Sequence, residues 1–532
     1  MILKYKILFL AIAALVFGSS CSKDRLDLPN PNSPGLVSLN TEEGMLRAGL
    51  GVYSKFGLEY FWFAQTNHNA MGENVWTSVG NFSWRWVNQP TSITLSNATV
   101  LLPPVGGAQG KELKDRNTRA FGNDNVFFNE WAALYLVNNQ CNLILQQLNS
   151  PSLTFSGSAA AVVSKKATLK AWAYWWKAFA YSRIGSLYVA GIITDKLNES
   201  NNEFKSRQEM IAEAANNFDK CIAALGEVTD VAAYTATLDR FIPSMTKVGK
   251  GGVFTIAEWK RHINTYKARN ILVNKKADDV TLAEWNSMLA LTQDGLLPTD
   301  KILTMRSADA NAIVANTNGP WTPFRVLTNA WEFLTERWVQ EFKPGDARRT
   351  RNVVQRATTV VNNSGRGFQY GTRWALKDIS AGGDYASQIT GLAELPMGCT
   401  YEENALTRAE ALIRTGAIED GLLLIDAVRV YQNALLPAVA GTGLTLSQAK
   451  EELYRERRIG LFLKNTPFYD YRRFGFACKD CARTGAVVVG PGGVIDNNAT
   501  IIYNYMDYWD VPLNELDFNT PSATSSPVVF PF

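Results

Sequence analysis

Between Glu456 and Gly475 the chain reads ERRIGLFLKNTPFYDYRRFG, and its charges limit what the chain can fold into. Glu456 and Asp470 sit among five arginines, counting Arg455 just upstream with Arg457, Arg458, Arg472 and Arg473. Apolar and aromatic residues fill most of the space between them. Charges in such company can be buried only as pairs, because an isolated ion is too costly to desolvate. The segment therefore predicts ion pairs between elements rather than an acid–base site, since structural ion networks imitate perturbed catalytic groups. Thr445 and Gln448 have capping-box spacing. A helix is predicted from there to about Lys464, with Pro467 forbidding its continuation.

Apolar periodicity supplies the fold class. Trp131, Leu134, Val137, Cys141 and Leu145 form one stripe of a helix predicted over residues 127–146, which makes Cys141 a small buried hydrophobe. Over residues 168–188, Trp172, Trp176, Phe179, Ala180 and Ile184 recur at three-four spacing, a core stripe rather than a sugar platform. Helices are also predicted at residues 41–53, capped by Thr41 with Glu42 and Glu43 in the first turn. Others follow at 206–225, where Ser206 and Glu209 hold the capping positions, at 263–275 and around 330–341. Residues 403–436 predict a helical hairpin turning at Gly416. Its Ala409, Leu412, Gly421, Ile425 and Val428 lie near the packing positions of tetratricopeptide pairs. Periodicity fades between 300 and 400, and residues 88–111 predict a loop excursion.

Only 19% of the residues are charged, against roughly 25% in ordinary soluble proteins, while aromatics reach 11% with 15 tryptophans. Beyond the N-terminus no run of about 18 apolar residues could span a bilayer. The aromatic excess must then be core or binding surface. A formal charge of +4, two units of it from Lys4 and Lys6, and no long basic run leave little electrostatic basis for nucleic-acid binding.

At the N-terminus, Lys4 and Lys6 precede an apolar run from Ile7 to Phe17, then Gly18, Ser19, Ser20 and Cys21. This is secretory-signal organisation, and the cysteine placed after small residues resembles a bacterial lipoprotein signal. Acylation of Cys21 is the preferred reading, and ordinary cleavage near Ser20 is the alternative. A di- or triacylated cysteine carries the two or more chains that stable membrane anchoring requires. Ser22-Lys23-Asp24 resembles an acidic surface-export tag. LDLPNPNSP, residues 26–34, has three prolines and predicts an extended tether.

Tyr60, Phe61, Trp62, Phe63, Trp76, Phe82, Trp84 and Trp86 crowd a stretch interleaved with Gly, Asn and Ser. Trp84 and Trp86 alternate around Arg85, which is strand or extended-loop spacing. Each ring alone fits a place on the helical core. So many rings on loops also fit a surface that meets a ligand. The candidate ligand-binding residues are Trp76, Trp84 and Trp86, with Trp321 and Trp374 from the aperiodic region.

No metal-binding, nucleophile-elbow or phosphate-loop motif is present, and His68 and His262 are the only histidines. Cys478 and Cys481 form a lone C-x-x-C. Zinc would need two further ligands there, so outside the cytoplasm a small disulfide, the preferred reading, or two unpaired thiols remain. A glycosidase needs two suitably spaced carboxylates, and nothing singles out such a pair. Neither a catalytic residue nor a cofactor is predicted.

The segment from Glu456 to Gly475 resembles the C-terminal hallmark of the SusD/RagB family of nutrient-binding outer-membrane lipoproteins, which usually reads E-R-R-x-E-L-x-F-E-G-x-R-W-x-D-L-x-R-W-G. Glu456, Arg457, Arg458, Leu461, Asp470, Arg473 and Gly475 match it. Gly460 replaces the second glutamate, Lys464-Asn465 replaces Glu-Gly, and Pro467 stands where an arginine is usual. Similar likeness appears at WAALYLVNNQCNLIL (131–145), RAEALIRTG (408–416) and Asp426 to Arg429. GDARRTRN (345–352) resembles the family's Asp-Pro-Arg element, with Ala347 in place of proline.

The resemblance implies a mainly α fold, a tetratricopeptide-like scaffold of helical hairpins with long irregular loops on the other face. The implied divisions are a signal peptide at 1–20, a tether at 21–40, an N-terminal region at 41–230 and a C-terminal region at 260–532, packed as one globule. The implied function is capture of glycans or other nutrients at the cell surface, for delivery to a SusC-like TonB-dependent transporter in the outer membrane. Sugar rings present apolar C–H faces to Trp and Tyr, while Asn, Asp and Arg bond their hydroxyls. A helical-repeat scaffold without its own small ligand and a surface glycoside hydrolase are the alternatives.

Overall fold

A computed structural model describes residues 36–55, 59–78, 83–104, 107–197, 201–306, 332–362, 367–385 and 393–531. Cys21, the tether through Pro34, Phe82 and Trp321 lie outside these residues. The fold is mainly α. Helix α1 (Glu42–Ser54) starts where the Thr41 hydroxyl accepts the Gly44 amide. Helix α2 (Glu59–Met71) occupies part of the aromatic stretch expected to be loop. Thirteen residues without glycine or proline leave nothing to break it before Gly72.

Helices α3 (Val126–Gln147), α4 (Ala159–Leu187), α5 (Arg207–Gly226), α6 (Ile256–Leu272) and α7 (Leu282–Gln293) are followed by α8 (Tyr401–Arg414), α9 (Ile418–Tyr431) and α10 (Leu446–Gly460). From α3 to α10, each of these packs on the one before it. Such serial stacking buries a continuous apolar core between neighbours.

The stripe on α4 is that core. Trp172, Trp175 and Trp176 are fully buried, with the last two edge to face at 4.7 Å between ring centroids. Cys141 is buried, which lifts its thiol to about 12. Two starts differ from the periodic reading. Helix α4 begins nine residues early, where Ser158 accepts the Ala161 amide, because its first turns are too exposed to carry an apolar stripe. Helix α6 begins at the capping box of Thr255 and Glu258, and α7 has its own at Thr281 and Glu284.

Among the described residues, the face expected to be irregular carries a sheet of eight strands. These are β1 (Val75–Thr77), β2 (Ser92–Thr94), β3 (Val100–Leu101), β4 (Glu332–Leu334), β5 (Val353–Val361), β6 (Gly371–Leu376), β7 (Lys479–Val489) and β8 (Ile495–Asn504). Their order is β1-β4-β6-β7-β8-β2-β3, with β5 also paired to β6. Every pairing in it is antiparallel. Residues 332–334 are therefore strand, and the helix expected around 330–341 shrinks to Glu336–Gln340, started by the Thr335 hydroxyl. Cys478 and Cys481 are joined as a disulfide at the entry to β7.

Buried charges connect the helical layer to this sheet. Helix α10 ends at Gly460, short of Lys464, because Leu463 and Asn465 take left-handed backbone angles (φ 59° and 65°). Pro467 then opens α11 (Pro467–Arg473), a first-turn position where its missing N–H costs nothing. The Asp470 carboxylate takes the Arg457 guanidinium at 3.0 Å and that of Arg473 at 2.8 Å, which together hold it below its ordinary value against the pull of burial. Arg473 also reaches Glu410 on α8 at 2.8 Å. Glu456 accepts from Arg429 on α9 at 2.9 Å and from Arg348 at 3.1 Å. Arg348 comes from the GDARRTRN run, where Asp346 caps the short helix Ala347–Asn352.

Removing one partner of a buried pair strands the other charge, so Glu456→Ala should lower unfolding stability by about 3–5 kcal/mol. Glu227→Ala, which breaks only the exposed pair with Lys170, should cost about 0–1 kcal/mol. Denaturant titration of both variants checks the contrast.

A second buried cluster sets the pH response. His68 on α2 touches Glu130 on α3 at 2.8 Å, and Arg183 on α4 reaches the same carboxylate at 2.6 Å. Burial outweighs Glu130 and keeps the His68 imidazole below its ordinary 6.5, while Arg183 and His68 overcome burial to hold Glu130 at about 2. His262 is also lowered by burial. Below pH 6.5 the unfolded chain binds histidine protons that the folded chain refuses, so stability falls as pH drops. Below 4.5 the Glu130 contribution follows, lost toward about 2. Urea midpoints should therefore decline from pH 7.5 to 5.0, and His68→Asn with His262→Asn should flatten that decline.

Candidate functional site

An antiparallel helical hairpin brings the first turn of its first helix beside the last turn of its second. In α8 and α9 this places Tyr401 next to Tyr431, with ring centroids 5.0 Å apart and planes at 72°. The two rings are half-buried and line a cavity of about 390 Å³. Ligand pockets commonly measure about 300–1,000 Å³. Thr400 and Glu402 continue the wall from α8. Lys250, Leu297, Pro298, Asp300 and Ile302 also line it, as do Asp384, Glu394 and Pro396. Lys464 enters from the turn between α10 and α11.

Each carboxylate in the wall is held from outside the cavity or along its edge. Asp300 takes Arg261 through both oxygens, at 2.6 and 2.7 Å, and the Leu297 amide at 2.9 Å. Those contacts prevail over burial and keep its pKa low. Glu394 accepts the Lys250 and Gly251 amides at 2.9 and 3.1 Å. Asp384 accepts from Arg351 at 2.7 Å and from Asn352 at 2.8 Å. Glu402 accepts the Gln432 amide at 3.1 Å. Burial favours its neutral form, but Lys464 opposes this most strongly and the carboxyl stays below its ordinary value.

The two lysines are placed differently. The Lys250 ammonium lies 5.0 Å from the Tyr431 ring centroid, within cation–π range, and donates to the Pro298 carbonyl at 2.6 Å. Lys464 is only 9% exposed. Its ammonium is 3.6 Å from Glu402 and 5.7 Å from the Tyr385 ring centroid. The left-handed residues on either side aim it there, and the Asn465 side chain fixes the turn by donating to the Pro396 carbonyl at 2.8 Å. Left-handed non-glycine residues also follow Tyr431, at Asn433 and Leu435 (φ 50° and 55°), where Arg351 donates to the Gln432 carbonyl at 2.8 Å. Backbone strain of this kind persists where surrounding contacts over-determine it.

Trp76, Trp84, Trp86 and Trp374 do not line this cavity. Trp76 is buried on β1 against Phe333 and Tyr370. Trp84 is buried in a short helix, Trp84–Val87, rather than on a strand or extended loop. Trp374 packs in the sheet and donates its indole N–H to Glu336 at 2.8 Å. These three rings are buried. Trp86 is half-buried, with the Arg116 guanidinium 4.7 Å from its ring centroid. Tyr401, Tyr431 and Lys250 were not singled out by sequence reasoning. The one available signal was Lys464-Asn465, a departure from the usual Glu-Gly.

Three solved structures share this arrangement of helices and sheet. A SusD-like protein from Bacteroides fragilis superposes with a TM-score of 0.56 at 15% identity, over 92% of this chain and 97% of that one. The chain has the SusD-like fold. A SusD superfamily protein from Parabacteroides distasonis gives a TM-score of 0.54 at 12% identity, over 89% of this chain and 97% of the other. Surface glycan-binding protein A from Bacteroides thetaiotaomicron gives 0.53 at 14% identity, over 90% and 97%. No protein-family model and no curated protein matches the sequence. At these identities the SusD-like likeness is one of fold.

Proposed function

We propose that this SusD-like chain is a non-catalytic glycan-binding lipoprotein of the cell surface, and that the cavity between Tyr401, Tyr431 and Lys464 is where it holds sugar. The observation that carries the reading is the tyrosine pair, its ring planes at 72°, in a wall of fixed polar groups. Aromatic faces accept the C–H face of a pyranose, and oriented carboxylates, amides and ammonium groups bond its hydroxyls. The name of the Bacteroides thetaiotaomicron protein of the same fold supports a glycan as the ligand. In this reading the leader delivers the chain to the envelope, acylated Cys21 anchors it in the outer membrane, and ligand passes to a SusC-like TonB-dependent transporter.

Two measurements test these steps separately. Calorimetry against a panel of oligosaccharides should detect binding to at least one, and Tyr401→Ala with Tyr431→Ala should weaken it by about tenfold or more. Heat from none of the panel would return the chain to the scaffold reading, and new reducing ends from a polysaccharide would make it a hydrolase. Cys21→Ser should move the protein from the membrane fraction to the soluble fraction, and retention in the membrane would contradict acylation.

A further inference from the structure

The polar groups around the cavity are unevenly satisfied. Asp300, Asp384, Glu394 and Glu402 all accept hydrogen bonds already, several of them two or more. The ammonium of Lys464 is held less closely among the described residues. Its carboxylate neighbour stands at 3.6 Å, beyond the roughly 2.7–2.9 Å of a charge-assisted hydrogen bond. An ammonium has three donors and no acceptor. Lys250 spends one of its own on Pro298, and its charge faces the Tyr431 ring. What the wall offers an incoming group is therefore a surplus of positively charged donors beside two aromatic faces.

Net charge does not oppose an anion there. Four carboxylates line the cavity, and two lysines with Arg261 and Arg351, the partners of Asp300 and Asp384, balance them. The Lys464 charge is also secure. Burial alone would drive an ammonium toward its neutral form, but Glu402 beside it pushes its pKa above the ordinary value. The site can thus present a permanent, poorly hydrated cation at neutral pH without paying for it at the moment of binding.

Resting on the glycan-binding reading above, we propose that the cavity selects sugars bearing an anionic substituent, a carboxylate or a sulfate, with Lys464 as the group that reads the charge. The tyrosines take the ring of such a unit and Lys464 takes its anionic group. Lys250, over Tyr431, supports the same charge. A neutral sugar would give the Lys464 donors no charged acceptor beyond Glu402 and would bind less tightly.

The test uses the full mature chain and an immobilised array in which uronic-acid oligosaccharides and sulfated oligosaccharides are each printed beside the neutral parent of the same length and linkage. Affinities of the positive spots are then measured in solution. Acidic members should bind at least about tenfold tighter than their neutral parents, and the carboxylated and sulfated arms show which anion is preferred. Lys464→Met combined with Glu402→Gln removes both charges and so strands neither. It should bring the acidic-to-neutral ratio to about one. Lys464→Arg should keep most of the ratio. Binding to neutral spots with no gain from the anion would overturn this proposal and leave the glycan reading intact. An unchanged ratio in the double variant would overturn the role of Lys464. Failure to bind any spot would overturn the glycan reading itself.

Discussion

Arginine–carboxylate pairing inside the protein is the constraint on which the other features depend. Glu456 on α10 joins Arg429 on α9 and Arg348 of the loop-rich half, while Asp470 on α11 joins Arg457 and Arg473, and Arg473 reaches Glu410 on α8. Four helices and the run at 345–352 are thereby fixed in one geometry. Buried ions of this kind add little net stability over a well-packed apolar substitute, but they penalise every arrangement in which a charge loses its partner. Their contribution is to the choice of one packing. Arg458 extends the same logic through a neutral partner by donating to the Gly72 carbonyl at 2.6 Å at the end of α2. A Cβ on Gly72 would come within 2.5 Å of Pro467, so the close approach there needs glycine.

The cavity is a by-product of that bracing. Since α10 must end where Glu456 to Arg458 are paired, the chain needs a tight connection to α11. It makes one through left-handed Leu463 and Asn465, with Lys464 between them. The hairpin of α8 and α9, pinned by Glu410 and Arg429, sets Tyr401 and Tyr431 opposite that turn. Gly460 fits the same scheme. A side chain there would approach the Glu456 carboxylate to 2.9 Å, so any residue but glycine requires that paired carboxylate to shift. The departures from that pattern thus fall where the structure turns toward the cavity.

Helices with a continuous apolar stripe were legible in the sequence, as α3 and the Trp-rich part of α4 show, and so was the pairing of Glu456 and of Asp470 with arginines. The sheet was not. Its strands β1 to β4 are two or three residues long, too short for alternation to register, and pairings such as Val75 with Leu334 join segments far apart in the chain. Which aromatics are buried was not legible for a related reason. Ring density in a glycine- and asparagine-rich stretch does not distinguish Trp76, covered by Phe333 and Tyr370, from an exposed ring. Tyr401 and Tyr431, by contrast, occur as single aromatics at helix ends, and only the hairpin brings them together.

The central claim is that sugar occupies the space bounded by Tyr401, Tyr431 and Lys464. Hydrogen exchange with and without a saturating oligosaccharide addresses it most directly, because the strained segments 431–435 and 461–466 flank that space. Slowed exchange in these two segments, with the region around Trp86 unchanged, is the predicted result. Protection around Trp86 with none at 431–435 and 461–466 would contradict the account.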